Sequence, residues 1–279
     1  MDHTFLMSDT TYRLIRELIY KHCGLAFDEQ SRYLLEKRLS NRLIKHQISD
    51  FQRYYHFLMY DRNRDQELKE IIDLLTVNET YFFREDRQLK AFSQEILPEI
   101  SERKKAERSR SLRIWSAGCS TGEEPYTLAI LILQTGLFRD SDVEIFASDI
   151  SQRVLKVARK GEYKASSFRT TDPYYIRKYF TQVGETSRII DPVRRLVNFG
   201  YLNLFDHGRI AMLGTMDLIF CRNVIIYFDK EAKQKVMLQF EQRLRKGGYL
   251  LLGHSESLIN ISNAFRLKHL KHDMVYEKA

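Results

Sequence analysis

The chain has 279 residues, of which 43% are hydrophobic and 29% charged, and its 45 Lys and Arg residues outnumber its 37 Asp and Glu residues, giving a formal net charge of +8. This balance is typical of a folded globular protein of one or two domains, and it excludes collagenous, low-complexity and wholly disordered chains. No run reaches the roughly 18–20 apolar residues of a membrane span, and three scattered cysteines without a CxxC pair argue against a disulfide framework or a structural zinc site.

The first nine residues contain acidic side chains and lack the cationic-then-apolar pattern of a secretion signal. We therefore expect a cytoplasmic protein that does not insert into a membrane. From residue 8 to residue 77 the apolar spacing is helical throughout, and Leu35, Leu39 and Leu43 form one stripe. Helices are expected at 9–24, from about 28 onward, at 50–61 and at 64–76. The pattern predicts an N-terminal all-α bundle over residues 1–77.

The second predicted helix has an excess of positive charge. Residues 31–46 contain five basic side chains and one acidic side chain, and Arg38, Arg42 and Lys45 follow one another at i, i+4 and i+7. This spacing places the three cations in a row on one helix face. A row of this kind is typical of a surface that meets an anionic partner, and a merely solvated face is the alternative.

From residue 78 onward, predicted strands alternate with predicted helices. This alternation indicates an α/β domain over residues 78–279, with a parallel sheet covered on both faces. The expected strands are Leu112–Ala117, Val143–Ser148, Met216–Cys221 and Tyr249–Gly253, followed by a hairpin of Phe265–Leu270 and Met274–Lys278. The expected helices are 85–106, 124–133, 151–160 and 229–245.

Residues 163–200 interrupt this alternation. A helix capped by Asp172 is followed by two short strand-like runs, Arg188–Ile190 and Leu196–Gly200, which predict a small antiparallel β insertion. Residues 150–200 also contain eleven basic and four acidic side chains, a second indication of an anionic partner.

A glycine-containing turn, Trp115–Glu123, connects the first strand to its helix, where glycines let a ligand approach the backbone. It matches neither the GxGxxG pattern nor a P-loop. Asp149 ends the second strand, and a carboxylate there can accept hydrogen bonds from both ribose hydroxyls of a nucleoside, whereas capping of the next helix is its structural alternative. Without other phosphate-binding features, these residues favour a nucleoside without pyrophosphate, and S-adenosylmethionine fits that description.

Five stretches together resemble the CheR family of chemoreceptor methyltransferases, in the family's order and spacing. They are Asn78–Arg84, Trp115–Tyr126, Phe146–Asp149, Phe220–Asp229 and Gly253–Glu256. The resemblance covers nearly the whole chain. It implies a class I, Rossmann-like methyltransferase domain that uses S-adenosyl-L-methionine and releases S-adenosyl-L-homocysteine. It also implies methyl esterification of glutamate side chains on the cytoplasmic helices of methyl-accepting chemotaxis receptors.

Matched position by position, the resemblance implies two catalytic residues, Arg84 holding a carboxylate and Tyr227 close to the transferred methyl. It implies cofactor contacts from Asn78, Thr80, Arg84, Gly118, Glu123, Asp149, Asn203, Leu204, Arg222 and Asn223. Glu123 is preferred to Glu124 because it directly follows the last glycine of the turn. No metal is expected, and no general base is needed, because a glutamate acceptor with a pKa of about 4.3 is already ionised at neutral pH.

The resemblance also suggests that Arg38, Arg42 and Lys45 bind glutamate-rich receptor helices. Some family members hold a receptor C-terminal peptide on the insertion, but with a longer glycine-containing loop than Val183–Ser187, so tethering is not expected here. A nucleic-acid methyltransferase is a weaker alternative, because Arg222–Tyr227 replaces the Asn/Asp-Pro-Pro-Tyr/Phe motif of amino-methylating DNA enzymes. A non-catalytic cofactor-binding or scaffold module remains the other alternative.

Overall fold

The structure, a computed structural model, describes residues 5–279. Residues 1–4, which begin the predicted bundle and the segment expected to lack a secretion signal, lie outside the described residues. The N-terminal region contains four α-helices that pack around one apolar core. They are α1 (Asp9–Cys23), α2 (Arg32–Lys45), α3 (Phe51–Tyr60) and α4 (Arg64–Leu75).

Local chemistry explains where these helices begin and end. The Ser8 side chain caps α1 by accepting a hydrogen bond from the Thr11 N–H, and Gly24 ends the helix at a φ of 76°. The Leu35, Leu39 and Leu43 stripe is fully buried, as its four-residue spacing predicted. The all-α character of this region is confirmed.

Eight more helices follow along the chain. They are α5 (Asp86–Ala91), α6 (Leu97–Ala106), α7 (Glu123–Thr135), α8 (Gln152–Lys160), α9 (Pro173–Tyr179), α10 (Asp191–Arg194), α11 (His207–Ala211) and α12 (Lys230–Arg243). A π-helical segment, Phe92–Ile96, joins α5 to α6, so the predicted helix over 85–106 is nearly continuous. No helix within residues 5–279 is both long enough and apolar enough to cross a bilayer.

The C-terminal region is built on a seven-stranded sheet. Its strands and those of the insertion are β1 (Leu112–Ala117), β2 (Val143–Asp149), β3 (Glu162–Tyr163), β4 (Phe180–Val183), β5 (Thr186–Ile189), β6 (Val197–Tyr201), β7 (Met216–Cys221), β8 (Leu244–Leu252), β9 (Phe265–His269) and β10 (Met274–Lys278). The strand order is β6-β2-β1-β7-β8-β10-β9, with the first five strands parallel and the C-terminal hairpin antiparallel. Strand order reverses at β1, and ligands of open α/β sheets bind beside the carboxyl ends of the strands at such a point.

The insertion is a three-stranded antiparallel sheet of order β3-β5-β4. One predicted member does not belong to it: the run Leu196–Gly200 corresponds to β6, which pairs in parallel with β2 at the edge of the main sheet. A short apolar run has the same local pattern in either sheet, and only its pairing partner decides between them. The antiparallel insertion therefore ends before this run.

Candidate active site

A cavity lies at the carboxyl ends of β1, β2 and β7, with about 1450 Å³ of empty space including its open mouth. Both halves of the chain contribute to its wall, since the segment after α1, Leu25–Phe27, faces the turn after β7. Eleven residues singled out from the sequence line it: Arg38, Asn78, Thr80, Arg84, Gly118, Asp149, Asn203, Leu204, Arg222, Asn223 and Tyr227. Three others, Arg42, Lys45 and Glu123, do not line it.

The turn after β1 comes close to the other walls of the cavity. Gly118 has a φ of 82°, and a Cβ atom at this position would lie 2.4 Å from Val224 Cγ2, so only glycine fits without rearrangement. Its N–H donates to the Ser148 carbonyl at 2.8 Å, and the Ser120 N–H donates to Asp149 Oδ2 at 2.8 Å. These bonds join the turn to the end of β2.

Asp149 is 7% exposed and has no salt-bridge partner within residues 5–279. Its two carboxylate oxygens each accept one backbone N–H, from Ser120 and from Ser151, both at 2.8 Å. The Ser151 side chain, not Asp149, caps α8. A carboxylate has about four acceptor positions, so Asp149 can still accept two hydroxyl groups. Burial raises the pKa of Asp149 to about 6, against the lowering effect of the two N–H donors.

Arg222 is buried at the base of the cavity within a set of polar contacts. Its Nη1 donates to Glu124 Oε2 at 3.2 Å, and its Nη2 donates to the Arg84 carbonyl at 2.6 Å and to Glu85 Oε2 at 3.0 Å. Its Nε is buried without a hydrogen-bond partner in the described part of the chain. Arg222 lines the cavity, so its positive charge can attract a ligand carboxylate there.

Glu124, and not Glu123, reaches the cavity. The Glu123 carboxylate instead accepts hydrogen bonds from Thr121 Oγ1 at 2.6 Å and from Ser167 Oγ at 3.0 Å, and so ties α7 to the insertion. Consecutive helical residues point about 100° apart, so the two glutamates cannot both face the cavity. Burial raises the pKa of Glu124, and the Arg222 guanidinium opposes this effect.

The two residues that the resemblance marks as catalytic, Arg84 and Tyr227, both line the cavity. Arg84 donates to the Glu79 carbonyl at 3.0 Å, and its guanidinium lies 5.7 Å from the centre of the Tyr81 ring. The Tyr227 side chain is 37% exposed, and its carbonyl accepts the Ala26 N–H at 3.2 Å. Burial raises the pKa of Tyr227 above its usual value, so its hydroxyl keeps its proton at neutral pH.

Asn78 and Asn203 connect the cavity walls. The Asn78 carbonyl accepts a hydrogen bond from Ser120 Oγ at 3.2 Å. The Asn203 amide donates to the His22 carbonyl at 2.6 Å and accepts the Phe205 N–H at 3.0 Å. The Asn203 side chain therefore joins α1 to the segment after β6.

The predicted cationic row on α2 is not one exposed surface. Arg38 donates to the carbonyls of Leu74 and Leu75 and lines the cavity, and Lys45 is exposed. Arg42, between them, is buried and paired with Glu67, its Nε donating to Glu67 Oε1 at 2.8 Å. The row is interrupted because α4 packs against this side of α2 and brings an acidic partner that the local sequence of α2 does not contain.

Sequence reasoning missed one segment of the cavity wall, did not settle the place of Glu124, and gave no role to Glu256, which holds a cavity loop without lining the cavity. The segment Leu25–Phe27 comes from the bundle, where no local pattern distinguishes it from an ordinary loop. Glu124 was left open beside Glu123. Glu256, in a quoted motif, accepts backbone N–H groups from the turn that carries Asn223. Within residues 5–279, no three His, Cys, Asp or Glu side chains are grouped to hold a metal ion.

The chain matches two family models that together span most of its length. Residues 10–76 match the model described as CheR methyltransferase, all-alpha domain, and residues 78–274 match CheR methyltransferase, SAM binding domain. Chemotaxis protein methyltransferase 2 of Vibrio cholerae is 36% identical over 275 residues, covering 98% of this chain and 94% of that protein. The chemotaxis protein methyltransferase of Salmonella typhimurium is 35% identical over 272 residues, covering 96% and 91%. That of Borreliella burgdorferi is 36% identical over 256 residues, covering 91% and 89%.

Proposed function

This chain belongs to the CheR methyltransferase family, and from that membership we propose that it transfers a methyl group from S-adenosylmethionine to glutamate side chains on the cytoplasmic helices of a chemoreceptor, forming methyl esters. The observation that carries the proposal is the convergence of Asp149, Arg222, Arg84 and Tyr227 on one cavity. Because the proposed substrate helices are cytoplasmic, we place the enzyme in the cytoplasm as part of this proposal.

The donors and acceptors of the cavity fit S-adenosylmethionine. Asp149 keeps two acceptor positions for the ribose hydroxyls, and Arg222 lines the cavity, where its positive charge can attract the carboxylate of the methionine part. We assign Glu124, rather than Glu123, to this site, because it holds the Arg222 guanidinium in place. When bound, the cofactor supplies an electrophilic methyl group on a sulfonium.

The chain's own residues have to orient a second ligand, the acceptor glutamate. Its carboxylate is ionised at neutral pH, so no side chain must remove a proton. Arg84 offers a planar fork of donors that suits a carboxylate, and the protonated Tyr227 hydroxyl offers one more donor beside it. Accurate placement of two reactants can lower a barrier by about 7–11 kcal/mol, which is where we place the main catalytic contribution of this site.

Receptor docking is assigned to the exposed face of α2. This face carries Lys37, Lys45 and the apolar side chains of Tyr33 and Ile44, and it leads to Arg38 at the cavity wall. A cationic and apolar face suits a glutamate-rich helical bundle. Arg42 is left out because it is buried. Peptide tethering on the insertion is not part of the proposal, since only Gly184 and Glu185 separate the paired residues at the end of the β4–β5 hairpin.

The test is methylation of receptor cytoplasmic fragments with S-adenosylmethionine labelled in the methyl group. We expect label in receptor protein, its release as methanol by alkali, and its mapping to glutamates. The Tyr227→Phe variant, which removes only the hydroxyl, should transfer methyl more slowly. Label in RNA or DNA would support a nucleic-acid enzyme instead. Calorimetric binding of S-adenosylhomocysteine without any transfer would support a non-catalytic module.

A further inference from the structure

The half-buried carboxylate of Glu256 binds the loops that follow two neighbouring strands, β7 and β8. The chain turns after β8 at Gly253, and the Glu256 side chain of this turn faces the segment after β7. Glu256 Oε2 accepts the N–H groups of Gly253 at 2.7 Å and of Asn223 at 2.8 Å. Glu256 Oε1 accepts those of Val224 at 2.9 Å and of Ile226 at 3.2 Å. Four backbone donors therefore end on one side chain.

The backbone around this carboxylate is in a constrained conformation. Asn223 has a φ of 58°, in the left-handed region that few non-glycine residues occupy. A Cβ on Gly253 would lie 2.7 Å from Asn223 Nδ2 and 3.0 Å from its backbone N, so the close approach of the two loops requires glycine. A strained conformation persists only where its surroundings hold it, and Glu256 provides that hold.

The anchored segment carries two residues of the cavity wall. Asn223 and Tyr227 both line the cavity, and a single turn of 3₁₀-helix, Ile225–Tyr227, connects the Glu256 anchor to the tyrosine. On its other side, Tyr227 is held through the Ala26 N–H. The tyrosine therefore depends on two attachments, one from the bundle and one from Glu256.

We propose that Glu256 is a positioning residue for methyl transfer: its carboxylate fixes the backbone from Asn223 to Ile226 and thereby sets the place of Tyr227 beside the reacting groups. The inference rests on the function proposed above. Its chemistry requires a carboxylate, because an amide has only one acceptor oxygen and would turn its NH₂ group toward two of the four N–H donors.

The experiment compares the whole chain with Glu256→Gln and with Ser255→Ala, an exposed neighbour that serves as matched control. Backbone hydrogen exchange is measured over 221–228 and over β7. In Glu256→Gln we expect exchange over 223–226 to accelerate by about tenfold or more while β7 stays protected. We expect kcat for receptor methylation to fall by about 10- to 100-fold, with a much smaller change in receptor KM.

A merely structural role would lower the unfolding midpoint but leave kcat of the folded enzyme unchanged, and that result would overturn the proposal, as would unchanged exchange over 223–226. If Glu256→Gln does not fold, Glu256→Asp takes its place. Its carboxylate lies one methylene closer to the backbone, so we expect faster exchange over 223–226 and a lower kcat than in the wild type, and wild-type values of both would overturn the proposal. If the wild-type chain methylates no receptor, the function proposed above fails. Hydrogen exchange still tests the anchor in that case, and unchanged exchange would reject it.

Discussion

Two buried carboxylates, Glu67 in the helical bundle and Asp149 in the cavity, are 3% and 7% exposed. They differ in their hydrogen-bond partners and in the direction in which their pKa values are shifted. Glu67 accepts hydrogen bonds from Arg42, His46 and Tyr54. Burial raises its pKa, but these hydrogen bonds outweigh burial and lower the pKa to about 2. Within residues 5–279 the Asp149 carboxylate accepts two hydrogen bonds, both from backbone N–H groups, and burial raises its pKa to about 6.

The two buried arginines, Arg42 in the bundle and Arg222 in the cavity, also differ in how their hydrogen-bonding groups are used. Arg42 makes two bonds to Glu67 and one to Glu70. Arg222 also has acidic partners but retains a buried Nε without an acceptor in the described part of the chain. A buried charge whose hydrogen-bonding positions are filled within the chain supports the fold. A buried charge that lines the cavity, as Asp149 and Arg222 do, can also meet a ligand there.

The largest expected effect is a loss of stability when the buried ion pair of the helical bundle is broken. Arg42→Ala leaves Glu67 buried without its cation, and we expect urea unfolding to report a loss of about 3–5 kcal/mol. Because the folded pKa of Glu67 lies below its ordinary value of 4.5, the stabilisation is present above that pH and is lost as the pH falls toward 2. Arg16→Ala, which removes a partly exposed pair with Glu29, is the control and should leave stability nearly unchanged. Equal losses of stability in Arg42→Ala and Arg16→Ala would show that the buried Arg42–Glu67 pair is no more important to the fold than a partly exposed pair.

The corresponding change in the cavity is Asp149→Asn. It removes the charge and one acceptor oxygen, and we expect the affinity for S-adenosylhomocysteine to fall by about 100-fold, because hydrogen bonds to a charged group contribute about 1.5–3 kcal/mol each. Calorimetry measures the affinity, and urea unfolding should show a far smaller loss than for Arg42→Ala. Asp140→Asn, at an exposed site, should bind normally. Full affinity in Asp149→Asn would remove Asp149 from the site.

A smaller effect on cofactor affinity is expected when the pH is lowered. In the proposed site the ionised form of Asp149 accepts the ribose hydroxyls, and its raised pKa of about 6 means that it becomes protonated as the pH falls through that value. We expect the affinity for S-adenosylhomocysteine to be constant above about pH 7 and roughly tenfold lower at pH 5. The decrease should be absent in Asp149→Asn. If the variant shows the same decrease, another group is responsible.

The smallest effect is expected on the docking face. Reversing two exposed charges, Lys37→Glu with Lys45→Glu, should raise the receptor KM by about three- to tenfold without changing kcat. The increase should shrink at high salt because exposed charges are screened. Lys235→Glu on α12 is the matched control, since that lysine is exposed but far along the chain from α2. A fall in kcat alone would argue against a docking role.

Much of the fold was predictable because its strongest signals are local. The bounds of β1 and β7 agree residue for residue with the predicted strands, since a strand buried on both faces is mostly apolar even where Arg113, Ser116 or Asp217 interrupts it. β8 was predicted too short: it begins at Leu244, where Lys246, Gly247 and Gly248 hide the strand from a search for apolar residues. β6 was assigned to the insertion because its partner, β2, is distant in sequence.

In the candidate site, too, some features were predictable from the sequence and others depended on distant parts of the chain. The place of Asp149 at the end of a strand identified it, the family resemblance added Arg222 and Tyr227, and all three residues line one cavity. Whether each has the predicted role stays a prediction. The choice between Glu123 and Glu124 was beyond local reasoning, because it depends on which way α7 presents each side chain toward Ser167 or Arg222.

The sequence by itself determined the two-part architecture, the strand-and-helix alternation and the family, since periodicity, turn residues and motif spacing are properties of contiguous residues. Only the tertiary structure decided that Arg42 is internal, that β6 joins the main sheet, and that the bundle's Leu25–Phe27 segment closes the cavity beside Tyr227. The reason is physical: burial and charge pairing depend on which distant segment packs against a residue, and that partner is not encoded in the neighbouring residues.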